Sequence, residues 1–221
     1  MRLLSFEKLR PLVWLGLVCL FLGLFLRITW ELHEDSGVDP LDENILISIS
    51  KLRTPALNGV AVDLTALGSF TVITIISVLG IIFLLLNRDR WACLYLAVGS
   101  LGSGVGTLAI KHLFQRPRPM VVQRLVEVDG FSYPSGHSLS ATSFYLLLMF
   151  LAWRRYPDVS SRALLFFCAS LLIVSICFSR LYLGVHYPSD VVSGVFLGAA
   201  WACLLTGYFF RFERKRTQKV H

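Results

Sequence analysis

The chain has 221 residues, 55% of them hydrophobic and 16% charged, with a mean hydropathy of +0.67. Soluble globular domains are about 45–50% apolar and about 25% charged, so this composition argues against a water-soluble enzyme, a disordered chain and a secreted disulfide scaffold. The remaining class is a membrane protein that crosses the bilayer several times. The net charge of +7 does not indicate a nucleic-acid partner, because the basic residues lie at the ends of apolar segments.

Six apolar segments are long enough to cross a bilayer, which takes about 20 helical residues. They lie approximately at 12–30, 66–87, 91–110, 137–154, 162–179 and 188–210. We interpret the first as a retained span, because its apolar run is long and no A-x-A cleavage site follows it. The expected fold is therefore all-α: an integral membrane bundle of six transmembrane helices, forming a single domain over residues 1–221.

The positions of Lys and Arg predict the orientation of this bundle. With both termini in the cytoplasm, the inner segments hold 13 of the 21 Lys and Arg residues. Positive residues accumulate on the cytoplasmic side of membrane proteins. We therefore expect a cell-membrane protein with both termini cytoplasmic and the loops 31–65, 111–136 and 180–187 at the outer face.

The first outer loop contains a predicted amphipathic helix over residues 41–53, between spans one and two. Its apolar residues recur at helical spacing at Leu41, Ile45, Ile49 and Leu52. Pro40 at the start and Pro55 beyond the end are typical helix boundaries. A helix of this kind lies in the membrane interface. There it either covers the outer face of the bundle or gates the entry of a lipid, and the sequence leaves both roles open.

Three polar motifs lie at the expected outer ends of spans three to six. The first starts with Lys111, at the end of span three, and continues to the segment Arg116-Pro117-Arg118-Pro119. The prolines prevent a helix there, so Arg118 is held in an extended segment just beyond a lysine. Fixed cations of this kind suit an anion with several oxygens, since Arg offers a planar pair of donors and Lys a point charge.

The second motif is Pro134-Ser135-Gly136-His137, directly before span four. Gly136 permits a close backbone approach, and the free N–H groups of the following helix turn form an anion site. Ser135 adds a hydroxyl donor, and His137 lies beside whatever anion binds. Taken alone, Ser-Gly before a helix is more often just a helix cap.

The third motif combines Arg180, His186 and Asp190 around the start of span six. An acceptor carboxylate in the first helical turn binds one imidazole nitrogen and leaves the other as a free lone pair. This arrangement makes His186 itself a candidate nucleophile, oriented by Asp190. Because all three motifs fall on the same outer face, we expect one joint functional site there.

Together, the three motifs resemble the signature of the type-2 phosphatidic acid phosphatase superfamily. The matching positions are Lys111-x6-Arg118-Pro119, Pro134-Ser135-Gly136-His137 and Ser179-Arg180-x5-His186-x3-Asp190, in that order over residues 111–190. The pair Arg116-Pro117 is a competing frame for the first motif. Its spacing from Lys111 is two residues short, so the role is assigned to Arg118.

The resemblance implies a metal-independent phosphohydrolase without a cofactor. It assigns His186 as the nucleophile that forms a phosphohistidine, Asp190 as the residue that orients it and His137 as the general acid. The residues that it assigns to the phosphoryl oxygens are Lys111, Arg118, Ser135, Gly136 and Arg180. Physical reasoning agrees, since phosphoryl transfer depends mainly on charge placement. The acids expected near the site are Glu127, Asp129 and Asp190, which form no cluster that would bind Mg²⁺.

A catalytic site at the membrane surface suits a lipid phosphate, whose head group lies at that depth. By analogy within the family, the expected substrate is phosphatidylglycerophosphate, together with phosphatidic acid. An undecaprenyl pyrophosphate phosphatase of the same superfamily is the alternative. Soluble haloperoxidases and glucose-6-phosphatase-like enzymes share the signature but fit the six spans and the chain length less well. A remote alternative is an anion or lipid transporter. The expected partners are membrane lipids, and the sequence predicts no oligomeric state.

Overall fold

The structure of the protein is a computed structural model that describes residues 6–34 and 39–217, with side chains described over 11–33 and 39–212. Eight helices and no strand occur in these residues. The helices are α1 (Phe6–Glu34), α2 (Pro40–Ser50), α3 (Pro55–Ala66), α4 (Phe70–Leu86), α5 (Arg90–Phe114), α6 (Gly136–Trp153), α7 (Val159–Tyr182) and α8 (Pro188–Thr217). The predicted all-α class is confirmed over this part of the chain. Several charges that predict the orientation, including Arg2 and Lys219, lie outside the described residues.

Four helices are long and apolar enough to cross a membrane by themselves. They are Pro11–His33 within α1, Arg90–Phe114, Val159–Tyr182 and Pro188–Phe212 within α8. Helices α3 and α4 meet at an angle of 45° and count as a fifth candidate when taken as one broken span. Helix α6, where the sequence predicts span four, has only 18 residues and is not among the candidates. The structure thus supports four to five spans, and six remains a prediction.

The expected outer loop 31–65 contains two helices, although the sequence predicts only one. Helix α2 matches the predicted amphipathic helix and begins with Asp39, whose Oδ1 accepts a hydrogen bond of 2.8 Å from the N–H of Leu41. Helix α2 buries Asp42 and Leu46 against the bundle, while Leu41 points outward and is 63% exposed. Its placement in a membrane interface therefore remains a prediction.

Helix α6 lies at the centre of the bundle and packs against α4, α5, α7 and α8. Its close approach to α8 depends on glycine. A Cβ built at Gly194 would lie 2.7 Å from the carbonyl oxygen of Ser135, and one built at Gly198 would lie 2.6 Å from that of Leu139. Small residues at helix contacts are how membrane helices bring their backbones together. This contact fixes the start of α8 beside the start of α6.

Apolar side chains fill the centre of the bundle and also cover much of its outer surface. Leu96, Phe144 and Leu147 are fully buried between the helices. Large apolar side chains are exposed on the outside, among them Phe70 at 76% and Leu86 at 79% of their surface. An outer surface of this kind suits contact with lipid tails.

Candidate active site

The site lies where the C-terminal ends of α5 and α7 meet the N-terminal ends of α6 and α8. Lys111 lies in the last turn of α5, and Arg180 in the last turn of α7. Ser135 caps α6, and Asp190 lies in the first turn of α8. All eight site residues predicted from the sequence are found at this one end of the bundle, in these four helix ends and the segments that join them.

His186 lies in the short connection between α7 and α8 and is held by Asp190. Its Nδ1 is 3.4 Å from Oδ2 of Asp190, and the two side chains are 2% and 0% exposed. The same carboxylate oxygen accepts a 2.9 Å hydrogen bond from the backbone N–H of Tyr187. The carboxylate therefore fixes both the ring of His186 and the turn that carries it.

The second nitrogen of His186 faces a cation. Nη1 of Arg118 lies 3.3 Å from Nε2 of His186. A guanidinium has only donors, so in this contact Nε2 is the acceptor. The proton of the imidazole then belongs on Nδ1, where it is donated to Asp190. This is the tautomer that places a lone pair on the side of the ring that faces Arg118.

The surroundings of His186 also keep it neutral. Burial lowers the pKa of His186 well below its usual range, and the positive charges of Arg180, Arg118 and Lys111 lower it further. Burial disfavours the charged imidazolium because water no longer solvates it. At neutral pH the ring is therefore unprotonated at Nε2 without needing a base to remove a proton.

The cations Lys111 and Arg118 donate to backbone carbonyl oxygens, which carry no net charge. Lys111 donates from Nζ to the carbonyl oxygen of Phe131. Arg118 donates to the carbonyl oxygens of Gly130, Asp129 and Val185, at 3.0, 2.9 and 2.9 Å. Fixed positive charges with carbonyl partners are a suitable environment for an oxyanion.

Arg180 has a donor without a partner. Its side chain is only 3% exposed, and Nη1 donates to Oγ1 of Thr65 at 2.7 Å. Its Nε is buried and makes no hydrogen bond with any described residue. An unpaired buried donor is costly unless a ligand satisfies it. The free N–H of Arg180 therefore points to an acceptor group that the site binds.

The second motif forms the start of α6 beside these cations. Oγ of Ser135 accepts hydrogen bonds from the N–H and the hydroxyl of Ser138, at 3.4 and 2.9 Å. The backbone N–H of Ser135 donates to the carbonyl oxygen of Asp190 at 3.0 Å. A Cβ at Gly136 would lie 3.1 Å from Cγ2 of Thr107 and 3.9 Å from Cε of Lys111. The sequence interpretation of Ser135 as a cap is thus confirmed, and Gly136 lets α5 approach.

His137 lies within electrostatic reach of His186 and of the three cations. Its ring also approaches the break between α3 and α4, since Cδ2 is 3.5 Å from where a Cβ of Gly68 would be. The carbonyl oxygen of Leu67, in the same break, accepts a 2.8 Å hydrogen bond from the hydroxyl of Tyr145. The broken helix pair therefore forms one wall of the site, which the sequence did not predict.

Arg116, which the sequence interpretation set aside, is the ion-pair partner of Asp190. Its Nη1 lies 2.5 Å from Oδ1 of Asp190, and its Nη2 lies 3.0 Å from Oδ2 of Asp42. The guanidinium also stacks on the ring of Tyr187, 4.3 Å from its centroid. The sequence could have indicated a separate role for Arg116. Arg116 and Arg118 share one proline-rich extended segment, and alternating side chains of an extended segment point to opposite sides.

Asp42 corrects the expectation that the acids near the site are Glu127, Asp129 and Asp190. The carboxylate of Asp42 is buried and paired with Arg116. Glu127 and Asp129 are exposed, and the backbone carbonyl of Asp129 accepts a hydrogen bond from Arg118. Among the described residues, no group of three His, Cys, Asp or Glu side chains is arranged to hold a metal ion.

Comparisons with known proteins agree with this geometry. Residues 90–214 match the family model of the PAP2 superfamily. Phosphatidylglycerophosphatase B of Bacillus subtilis is 29% identical over 200 residues, which cover 90% of this chain and 97% of that protein. A proposed undecaprenyl-diphosphatase of Escherichia coli is 30% identical over 164 residues, which cover 71% of this chain and 78% of that protein.

A solved structure has the same fold. The crystal structure of a transmembrane PAP2-type phosphatidylglycerolphosphate phosphatase from Bacillus subtilis superposes with a TM-score of 0.79 at 26% identity. The match covers 92% of this chain and 97% of that one. With its long apolar helices and the matched family model, the chain is a multi-pass membrane phosphatase that belongs to the PAP2 superfamily.

Proposed function

We propose that the protein hydrolyses the phosphate monoester of a membrane lipid through a phosphohistidine at His186, without a metal ion or cofactor. The observation that carries this proposal is the placement of His186 between Asp190 on Nδ1 and Arg118 on Nε2. A neutral imidazole with its lone pair directed at a group of fixed cations is suited to attack a phosphate that those cations bind.

In the first step, Nε2 of His186 attacks phosphorus and the bond from phosphorus to the ester oxygen breaks. The imidazole gains positive charge as the new bond forms, and Asp190 stabilises that charge through Nδ1–H. His137 takes up a proton when the bound phosphate anion offsets the cations around it, and it donates this proton to the leaving oxygen, so that the product is a neutral alcohol. The phosphoryl group stays on His186.

In the second step, water attacks the phosphohistidine and inorganic phosphate leaves. His137 has lost its proton in the first step and now accepts one from the water, so that the site returns to its starting state. Asp190 again holds Nδ1–H as the neutral imidazole is restored. Both steps pass through a transition state whose charge lies on the equatorial phosphoryl oxygens.

Lys111, Arg118 and Arg180 stabilise that charge, together with Ser135 and the backbone of Gly136. Arg180 offers an Nε–H that has no hydrogen-bond partner among the described residues, and Arg118 exchanges its contact with Nε2 of His186 for a phosphoryl oxygen. Removal of one such donor typically lowers kcat by about 100-fold to 1000-fold. The three cations supply the neutralising charge that Mg²⁺ supplies in other phosphotransfer enzymes.

For the substrate we propose phosphatidylglycerophosphate, with additional activity on phosphatidic acid. The proposal is supported by the Bacillus subtilis relative, whose name is phosphatidylglycerophosphatase B and whose length is matched over 97%. The Escherichia coli relative supports undecaprenyl diphosphate as the alternative. We further propose one domain of six spans, including α6, in the cell membrane, with both termini in the cytoplasm and the site at the outer face.

A lipid phosphate panel tests this function directly. Purified protein in detergent micelles is given phosphatidylglycerophosphate, phosphatidic acid or undecaprenyl diphosphate, and released inorganic phosphate is measured. We expect the highest kcat/KM for phosphatidylglycerophosphate and no release by the His186→Ala variant. A transporter would release no phosphate from any lipid in micelles, and a preference for the diphosphate would favour the alternative substrate.

A further inference from the structure

We propose that Asp42 on α2 is a positioning residue for the nucleophile, because it restricts Arg116 to one oxygen of Asp190 and leaves the other oxygen for His186. This inference rests on the proposed role of His186. It assigns a function in catalysis to α2, a helix outside the three sequence motifs and outside residues 90–214 that match the family model.

Arg116 divides its two terminal nitrogens between two carboxylates. Its Nη1 binds Oδ1 of Asp190 at 2.5 Å, and its Nη2 binds Oδ2 of Asp42 at 3.0 Å. The three side chains are 5%, 0% and 6% exposed, so water hardly competes for these contacts. One guanidinium therefore joins two carboxylates that lie 148 positions apart in the chain.

The division matters because a guanidinium prefers to bind both oxygens of a single carboxylate. Without the charge of Asp42, Nη2 of Arg116 loses the carboxylate that draws it away from Oδ2 of Asp190. That oxygen is the one that faces Nδ1 of His186 at 3.4 Å. Two-pronged binding by Arg116 would therefore weaken the hydrogen bond that orients the nucleophile and stabilises its positive charge during attack.

Asp42 is itself held in place by the start of α8. Its Oδ1 accepts a 2.9 Å hydrogen bond from the backbone N–H of Ser189, and Oδ2 accepts one from the hydroxyl of Ser189. Ser189 also receives a 2.8 Å hydrogen bond from Nη1 of Arg116. The carboxylate thus satisfies a free N–H of the first turn of α8 and binds Arg116 at the same time.

The substitution Asp42→Asn separates these two tasks. The amide oxygen of asparagine still accepts from the N–H of Ser189, so the helix end stays capped, but the charge that holds Arg116 is lost. We expect kcat to fall by about 10-fold to 100-fold, as when a supporting contact displaces a catalytic group. KM and the affinity for orthovanadate should change less than threefold, because Lys111, Arg118 and Arg180 are untouched.

The matched control is Glu43→Gln, which removes the same charge from the next position of α2. Glu43 is only partly buried, and we expect its kcat to stay within twofold of the wild type. We also expect Arg116→Met and the double variant Asp42→Asn/Arg116→Met to have the same kcat. Once Arg116 is removed, Asp42 still contacts the N–H and the hydroxyl of Ser189, but asparagine can make both of these contacts as well.

The test measures kcat and KM for a lipid phosphate, the orthovanadate dissociation constant and the thermal midpoint of each purified variant. Two results would overturn the proposal: Asp42→Asn with the kcat of the wild type, or effects of Asp42→Asn and Arg116→Met that multiply in the double variant. A loss of kcat that follows only a fall in the folded fraction also counts against it, since that is a structural role. Failure of the proposed function is distinct, because the wild type itself would then release no phosphate.

Discussion

Nη1 of Arg118 lies 3.3 Å from Nε2 of His186, on the side of the ring opposite Asp190. Since arginine offers only donors, this contact identifies the nitrogen that carries the lone pair. A phosphate bound by Arg118 would thus meet the same nitrogen that the guanidinium now covers. Arg118, the proposed phosphate-binding residue, and His186, the proposed nucleophile, are therefore preorganised as a pair.

Substitution of the proposed nucleophile should abolish turnover without unfolding the protein. We expect His186→Ala to lower phosphate release by at least about 1000-fold, as for other covalent nucleophiles. His33→Ala is the control, because His33 is exposed on α1 and should retain full activity. The measurement is phosphate release per folded protein in micelles. Turnover by His186→Ala at the rate of the wild type would refute the nucleophile assignment.

Removal of the unpaired donor of Arg180 should weaken oxyanion binding and slow turnover. We expect Arg180→Gln to lower kcat by about 100-fold to 1000-fold and to raise the inhibition constant of orthovanadate. Arg124→Gln serves as the control, since Arg124 is exposed and bonds only to the backbone of Pro119 in the described structure.

A vanadate complex locates the same site directly. In it, the oxyanion should lie among Lys111, Arg118, Ser135, Gly136, His137 and Arg180. An oxyanion bound at another place, or an Arg180→Gln variant with unchanged inhibition, would contradict this map.

The lowered pKa of His186 predicts how stability depends on pH. Below pH 6.5, the ordinary pKa of histidine, the folded protein keeps His186 neutral. In the unfolded chain, His186 takes up a proton in the same pH range. The unfolded state then binds more protons, so the free energy of unfolding falls as the pH drops below 6.5. The contribution of His186 to the free energy of unfolding is therefore fully present only well above pH 6.5 and is lost as the pH falls.

The variant His186→Gln removes this proton uptake. We expect the thermal midpoint of the wild type to fall more steeply than that of His186→Gln between pH 7 and pH 5. Differential scanning fluorimetry in detergent checks the two slopes. Equal slopes would show that His186 titrates alike in both states.

Chelation should leave the activity intact, because the cations that neutralise the phosphate are side chains of the protein. We expect the rate of phosphate release in EDTA to equal the rate without it. The assay uses the same micelles at fixed ionic strength, since salt screens exposed charges. Loss of activity in EDTA that Mg²⁺ restores would count against a metal-independent mechanism.

The contact between α6 and α8 predicts which glycines are essential for packing. A Cβ at Gly198 would lie 2.6 Å from the carbonyl oxygen of Leu139, so Gly198→Ala should destabilise the protein by about 1–3 kcal/mol. Gly106→Ala in α5 is the control, because a Cβ at Gly106 would meet no atom of another described segment within 4 Å. The thermal midpoint in detergent measures both effects. A Gly198→Ala variant as stable as the wild type would show that α6 and α8 can separate at no cost.

The parts of the site that could be predicted from the sequence are those encoded locally. His186 and Asp190 are four residues apart, and Pro188 starts the helix that joins them, so their spacing alone brings them together. Lys111 and Arg118 likewise share one helix end and one extended segment. For these residues the spacing within a motif is enough to predict which side chains lie close together.

The rest depends on contacts between distant segments, which a single sequence does not reveal. Asp42 reaches Arg116 only because α2 folds back on α7 and α8. Thr65 reaches Arg180 because α3 packs against α7. The sequence also presented 66–87 as one span, whereas Ser69 caps a new helix and the chain bends by 45° before it.

The most direct test of the central claim is a rapid-quench experiment with ³²P-labelled phosphatidylglycerophosphate or phosphatidic acid. The reaction is stopped within one turnover under alkaline denaturing conditions, and the labelled peptide is located by mass spectrometry. We expect one phosphohistidine, at His186, that forms and decays at the rate of turnover and is missing in His186→Ala. Phosphate release at the normal rate with no phosphorylated His186 would contradict it.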